Sequence, residues 1–97
     1  MRLATRARYS VRLMVAIGRN SGEGKPTSMT EVAARTRISR GYLEQLALFL
    51  RNAALLKGVC GRKGGYFLAR PPEDITLAEI VEAAMGPINL SDCISSP

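Results

Sequence analysis

The sequence contains no histidine, so the side chain that most often acts as a general base in enzymes is absent. The acidic residues are mostly accounted for by helix caps and an exposed C-terminal face, and no nucleophile–base pair can be proposed for either cysteine. The glycine-rich stretch GRKGGY lacks the Gly-Lys-Ser/Thr triplet that a nucleotide-binding phosphate loop requires. We therefore expect a protein that is not an enzyme.

Long apolar runs are also missing, and none approaches the roughly 18 residues of a membrane span. The N-terminal MRLATRARYSVR has arginines where a signal peptide needs an unbroken apolar segment. Two cysteines, Cys60 and Cys93, are fewer than a small secreted domain usually carries. With 97 residues, the sequence predicts one small cytoplasmic domain with no membrane partner.

Basic side chains are absent from the last part of the chain. All 14 Lys and Arg residues lie in residues 1–70 beside only three acids, a net charge of +11, whereas the five acids of residues 71–97 give −5. This distribution predicts a polyanionic partner for the first seventy residues. A solvated surface tuned for solubility would also produce it.

Residues 5–20 predict a helix, because apolar side chains recur there at helical spacing. Its expected inner face consists of Ala7, Val11, Met14, Val15 and Gly18. On the opposite side, Arg8, Arg12 and Arg19 fall within about 40° of one another. This row is either a ridge facing phosphates or the solvated side of an amphipathic helix, and Arg8 is a candidate phosphate contact.

The next two helices form a helix-turn-helix candidate. Ser28 and Glu31 make a capping box that begins the second helix, and Ser28 is another candidate phosphate contact. The pattern fails around TRIS, where Arg37 stands although glycine would adopt a left-handed turn more cheaply. Ser39 can cap a third helix, whose spacing requires one buried face. That face consists of Leu43, Leu46, Ala47 and Leu50.

The outer face of the third helix carries the candidate base-reading side chains. Gln45 can pair with adenine, Glu44 can accept a hydrogen bond from cytosine, and Leu48 can touch a thymine methyl. Leu48 is equally compatible with packing inside the protein. We expect Tyr42 and Gln45 to face DNA. The flanks of this face carry Arg40, Glu44 and Arg51, and Gly41, which has no side chain, permits close approach to a DNA backbone.

A β-hairpin is predicted from two short apolar runs, ALLKGVCG and YFLAR, which a glycine-bearing turn joins. Arg62 and Lys63 at its tip suit a narrow minor groove, where the negative potential is strong. Gly61 and Gly64 would let the backbone approach phosphates. An ordinary tight turn that needs positive φ would carry the same glycines.

A second capping box, Thr76 with Glu79, begins a last helix that a Gly-Pro pair stops. Its expected inner face consists of Leu77, Ile80, Val81 and Ala84. The order of elements predicts a mainly α fold with a small β-hairpin, the winged helix-turn-helix, over residues 1–86. Residues 87–97 lack periodicity and are expected to form an irregular tail.

Several stretches resemble the Rrf2 family of bacterial transcription regulators, over essentially the whole chain. They are MRL at the start, RYSV (8–11), GYLEQL (41–46), GGYFLARPPEDITLAEI (64–80) and the late Cys93. The resemblance implies a homodimer that binds palindromic operators in double-stranded DNA, with a recognition helix in the major groove and a basic wing in the minor groove. Many members respond to iron–sulphur clusters, nitric oxide or redox state, and others to thiol metabolites.

By position, the resemblance implies a set of DNA contacts and one cluster ligand. The major-groove contacts would be Ser39, Gly41, Tyr42, Glu44 and Gln45. The wing contacts would be Gly61, Arg62, Lys63 and Gly64. Cys93 matches the first cluster-ligating cysteine of cluster-binding members, but a cluster normally needs four ligands. We therefore expect no cofactor in this chain. The resemblance implies an iron–sulphur cluster only for a full-length form of the protein.

Three departures from the family pattern bear on function. Cys60 stands where the family usually has an arginine, so the basic wing contact either moves to Arg62 and Lys63 or is weakened. Arg37 replaces the usual turn glycine, at a cost of ~1 kcal/mol if the turn is left-handed. Typical members continue beyond the position of Pro97, so residues 87–97 are expected to begin a truncated sensor and dimerisation region.

A second hypothesis is a non-specific nucleic-acid binder or a protein-interaction module that has lost sensing. Affinity that comes from phosphates alone falls steeply with salt and selects no site. The polar outer face of residues 41–52 favours sequence-specific binding, because a non-specific binder should carry more Lys and Arg there.

Overall fold

The computed structural model describes residues 3–21, 24–61 and 64–85. Within these ranges it contains four α-helices and one antiparallel hairpin, which confirms the predicted fold class. In chain order the elements are α1 (Leu3–Ser21), α2 (Met29–Thr36), α3 (Arg40–Asn52), β1 (Leu56–Val59), β2 (Gly65–Leu68), a 3₁₀ turn (Pro72–Asp74) and α4 (Leu77–Met85). The predicted stop of α4 and the predicted tail, residues 87–97, lie outside the described residues.

The core lies where α1 meets the other helices. Leu13 and Ile17 of α1 are fully buried in one apolar cluster with the inner face of α3 and with Ile80 of α4. Burying a side chain of this size contributes roughly 1.5–3 kcal/mol relative to leaving it exposed. The long first helix therefore holds α3 and α4 in place.

The inner faces of α1 and α4 differ from the predicted ones. Leu13 and Ile17 are buried, whereas Val15 keeps 52% of its surface exposed. On α4, Ala83 is buried and Leu77 is 62% exposed. The apolar stripe of α1 is wide, so spacing alone could not tell which of its edges packs inward. Leu77 is the first residue of α4 and lies at the edge of the packed region.

The N-terminus of α2 uses half of its predicted capping box. The Ser28 Oγ accepts a hydrogen bond from the Glu31 N–H at 3.1 Å. The Glu31 carboxylate turns instead to Asn20, whose Nδ2 donates to it at 3.1 Å, and to Arg35 at 3.7 Å. Glu31 therefore ties α2 to the end of α1.

The turn between α2 and α3 forms without a glycine. Arg37 adopts the left-handed conformation, with φ 61° and ψ 22°, and its N–H donates to the Ala33 carbonyl at 2.9 Å. The Thr36 hydroxyl donates to the Val32 carbonyl at 2.8 Å and accepts from the Ile38 N–H at 3.2 Å. These bonds and the burial of Ile38 hold the turn in spite of the backbone cost at Arg37.

The predicted capping box at the start of α4 is complete. The Glu79 N–H donates to the Thr76 Oγ1 at 3.1 Å, and the Thr76 N–H donates to a Glu79 carboxylate oxygen at 2.9 Å. The other carboxylate oxygen accepts from Arg70 Nη2 at 2.7 Å. The Thr76 N–H first, and Arg70 next, hold the pKa of Glu79 below its ordinary value.

The stabilising effect of Glu79 is expected to depend on pH. A carboxyl group whose pKa is lowered by folding stabilises the fold above its unfolded pKa, and this contribution disappears as pH falls through the folded pKa. We expect Glu79→Gln to lower the free energy of unfolding at pH 7, and the difference from wild type to shrink as the pH falls below about 4.5. Urea unfolding at several pH values measures it, with Glu82→Gln on the exposed side of α4 as control. A difference that is constant across pH would contradict this account.

Candidate nucleic-acid interface

One face of α3 is fully buried and the other is open to solvent. The four residues of the predicted inner face, Leu43, Leu46, Ala47 and Leu50, are each 0% exposed. Their burial fixes the rotation of the helix about its axis. The side turned to solvent carries Arg40, Gly41, Glu44, Gln45, Leu48, Arg51 and Asn52.

The start of α3 is open to a partner. The Ser39 Oγ accepts from the Tyr42 N–H at 3.2 Å, so Ser39 is the predicted cap. A Cβ placed on Gly41 would meet no atom within 4 Å. Internal packing therefore does not require glycine there, and its small size leaves room for another backbone outside the protein.

An exposed ion pair lies on the same face. Arg40 Nε and a Glu44 carboxylate oxygen are 3.5 Å apart, and both side chains are largely solvent-exposed. Surface pairs of this kind contribute about 0–1 kcal/mol. The pair can therefore separate at small cost, which frees Arg40 to bind a phosphate and Glu44 to accept a hydrogen bond from a base edge.

Tyr42 lies on the flank of α3, as its spacing predicts, and its contact with DNA stays a prediction. Its ring packs edge-to-face on Tyr9 of α1, with 5.9 Å between centroids and 76° between planes. Its hydroxyl is shielded from solvent and has no hydrogen-bond partner in the described part of the chain. This burial raises the pKa of the Tyr42 phenol, and the charge of Arg6 offsets part of the rise. Helical spacing put Tyr42 on the flank of α3, and α1 covers that flank.

A groove of about 530 Å³ separates α3 from the hairpin. The start of α2 closes one end of it, and Cys60 lies on its wall. Six of the predicted contact residues line it together: Ser28, Arg40, Glu44, Arg51, Gly61 and Gly64. Arg62 and Lys63 lie outside the described residues. Arg8 is exposed on α1 but does not line the groove.

Thr27 fixes the hairpin against the start of α2, a contact that the sequence did not indicate. Its N–H donates to the Tyr66 carbonyl at 2.9 Å, and its carbonyl accepts from the Tyr66 N–H at 2.8 Å. A Cβ on Gly65 would clash with the Thr27 carbonyl. Glycine at this position allows the approach, which holds the hairpin beside the Ser28 cap.

The described residues do not fit an iron–sulphur cluster. Cys60 is exposed at the end of β1, and the part of the chain that is described holds no group of three or more His, Cys, Asp or Glu side chains able to bind a metal ion together. Cys93, the predicted cluster ligand, lies outside that part. Likewise, no described helix is both long enough and apolar enough to cross a membrane.

A helix-turn-helix followed by a hairpin that flanks the exposed helix defines the winged helix-turn-helix class. The model of the Rrf2 family, described as iron-dependent transcriptional regulators, matches residues 3–97, and the chain belongs to this family. The predicted family is thereby confirmed.

Three similar proteins illustrate the relationship. The HTH-type transcriptional regulator CymR of Bacillus subtilis is 40% identical over 89 residues, which cover 92% of this chain and 64% of CymR. IscR of Cereibacter sphaeroides, also an HTH-type transcriptional regulator, is 44% identical over 91 residues, which cover 92% of this chain and 58% of IscR. The solved structure of CymR, the global cysteine regulator of B. subtilis, matches with a TM-score of 0.81 at 39% identity, covering 91% of this chain and 67% of that one. The chain thus spans about three fifths of the length of the curated relatives it matches.

The bridge between Thr27 and Tyr66 can be tested with Gly65→Ala. The added methyl group has no room beside the Thr27 carbonyl, so we expect a loss of about 1–3 kcal/mol in the free energy of unfolding and faster amide exchange at Thr27 and Tyr66. Gly58→Ala is the matched control, because its Cβ would only make ordinary contact with the Tyr66 ring at 3.8 Å. Equal stability of the two variants would contradict the proposed anchoring.

Proposed function

We propose that this chain is the DNA-binding part of a transcription regulator that recognises specific sequences in double-stranded DNA. The observation that supports it most directly is the groove in which polar side chains of α3 face the hairpin across open space. Membership in a family of transcriptional regulators supports the same conclusion. In this proposal α3 enters the major groove and the tip of the hairpin, the wing, lies in the minor groove.

The dimensions and chemistry of α3 suit this role. Its 13 residues extend about 20 Å, and the major groove of B-DNA is about 12 Å wide and admits an α-helix. Gln45 presents an amide that can pair with adenine, and Glu44 presents an acceptor for cytosine. Ser39, Arg40 and Arg51 are assigned to flanking contacts.

The residues on the other walls of the groove, at the start of α2 and on the hairpin, are assigned to contacts with the phosphate backbone of DNA. Ser28 lies at the N-terminus of α2, where backbone N–H groups and the helix dipole favour an anion. A Cβ on Gly61 would meet no atom within 4 Å, so the hairpin backbone is accessible there, whereas the turn itself requires glycine at Gly64, where a Cβ would clash with the Val59 carbonyl. Gly64 stays assigned to the wing, and Arg62 and Lys63 would supply positive charge to the minor groove. Arg8 is a candidate for a more distant phosphate, because it is exposed on α1 but does not line the groove.

We also propose that two copies bind a palindromic operator as a homodimer. Support comes from α1, which leaves Val15 exposed beside an apolar groove of about 360 Å³. Met14, Leu68, Ile75 and Ile80 also line this groove. A second copy would remove this surface from water. Half-sites would then lie one helical turn, about 34 Å, or a multiple of it apart.

Regulation by redox state or by an iron–sulphur cluster is proposed only for a longer form of the protein. The family is described as iron-dependent, which supports the idea. The described residues supply no ligand set, so no step of the binding mechanism passes through a cluster.

Selection of binding sites from random duplexes tests the proposed function. A palindromic consensus is the expected result. The second hypothesis, a non-specific binder, predicts no consensus and an affinity that varies with salt concentration but not with base sequence. A protein-interaction module predicts that the protein retains no DNA at moderate salt.

Gln45→Ala is expected to reduce discrimination between the selected duplex and a scrambled one. A bidentate side chain–base contact contributes about 1–3 kcal/mol of discrimination, so the ratio of the two affinities should fall about five- to 150-fold. Fluorescence anisotropy with both duplexes measures the ratio. Asn52→Ala, at the last residue of α3 and about two helical turns beyond Gln45, is the control and should leave the ratio unchanged.

Combined substitution of Arg62 and Lys63 by alanine is expected to weaken binding to both duplexes alike. Each lost phosphate contact reduces the slope of log K against log salt concentration by about 0.9, so two contacts give about 1.8. Affinities at four or more salt concentrations measure the slope. Alanine at Lys25 and Lys57 removes the same charge from exposed positions that line neither groove, and an equal change there would argue against the wing assignment.

A further inference from the structure

Arg6 lies where three helices meet, outside the groove. It belongs to α1, and its Nε donates to the Ala84 carbonyl of α4 at 2.8 Å. Its Nη2 donates to the same oxygen. On the other side, its Cζ lies 4.7 Å from the ring centroid of Phe49 in α3. One guanidinium group therefore contacts the last turn of α4 and the proposed recognition helix at the same time.

The contact with Ala84 places a cation at a carbonyl of the last turn of α4. The negative end of the helix dipole favours a cation there. The last turn of α4 contains no basic residue, so this positive charge comes from α1. Two N–H groups of the guanidinium donate to this one carbonyl oxygen, and hydrogen bonds from a charged donor are stronger than neutral ones, so the contact holds the guanidinium plane in place.

The contact with Phe49 connects that plane to the exposed face of α3. A guanidinium cation above an aromatic ring is attracted to the face of that ring. Phe49 follows Gln45 by four residues, so the two side chains are neighbours on the helix surface, one turn apart. A displacement of Phe49 therefore moves the turn that carries a proposed base contact.

We propose that Arg6 is a positioning residue that couples the carboxyl end of α4 to the recognition helix. The chain runs on from Met85 directly after the carbonyl that Arg6 holds. A displacement of the end of α4 moves the guanidinium, and the guanidinium moves Phe49. The position of α3 relative to bound DNA then changes. Only the effect on DNA affinity rests on the proposed function, because the coupling between helices exists in the free protein.

The coupling can be measured without DNA, by amide hydrogen exchange in the last turn of α4. We expect Arg6→Gln to speed exchange there about tenfold. Phe49→Leu, on a different helix, should also speed exchange in the same turn when Arg6 is present. In the Arg6→Gln background, Phe49→Leu should add nothing further, because the connection is already broken.

Two control variants keep the result interpretable. Leu48→Ala changes the neighbouring, exposed residue of α3 and should leave the exchange of α4 unchanged. Arg6→Met keeps an unbranched side chain but removes the charge and the donors, so Phe49→Leu should have no effect in that background. This variant also tests the proposal if Arg6→Gln does not fold. Equal effects of Phe49→Leu with and without the arginine would overturn the coupling.

The consequence for DNA is tested with the duplex selected above and its scrambled form. Arg6→Gln should weaken binding to the selected duplex about tenfold more than Lys57→Gln, which removes the same charge from an exposed position of β1 that lines neither the groove beside α3 nor the apolar groove. Both variants should bind the scrambled duplex equally. If the two bind the selected duplex equally, the link to recognition is overturned. If wild type selects no duplex, the proposed function fails, and the exchange cycle still decides the coupling.

Discussion

Complete burial of one face of α3 is the constraint on which the rest of the structure depends. Leu43, Leu46 and Leu50 leave no solvent-accessible surface, so α3 has one allowed rotation against α1. That rotation puts Gln45 and Glu44 outward and places Arg40 and Arg51 on the wall of the groove. The apolar side of the helix therefore decides which polar groups a partner can meet.

The second determinant of the groove is the joint between the hairpin and the start of α2. Two hydrogen bonds between Thr27 and Tyr66 make the hairpin continuous with the segment that ends in the Ser28 cap. Because Glu31 of α2 is bonded to Asn20 of α1, the same segment is also tied to the long helix. The groove is thus lined by elements that hold one another directly.

The sequence predicted what depends on neighbours along the chain. The caps at Ser28, Ser39 and Thr76, the hairpin and the buried face of α3 all follow from short-range spacing and hydrogen-bond chemistry. The predicted inner edge of α1 was wrong, because periodicity identifies a helix face but not the neighbour that covers its flank. For the same reason the sequence did not show that α1 packs on the Tyr42 ring. The Thr27–Tyr66 bridge and the Arg6–Ala84 contact join residues far apart in sequence, so no local sequence pattern predicts them.

The glycine that lets the hairpin touch Thr27 also limits how this fold can diversify. Inserting or deleting a single residue between Gly65 and Leu68 would break the register of β2, so either the glycine would leave its place beside Thr27 or the side chains after it would turn to the opposite face of the hairpin. The turn that joins the two strands is constrained as well, because a Cβ on Gly64 would clash with the Val59 carbonyl and the length of a hairpin turn sets its register. Natural variation in what the wing touches is therefore expected to accumulate in the side chains of its tip, while the length of the tip and the base of the hairpin stay constant.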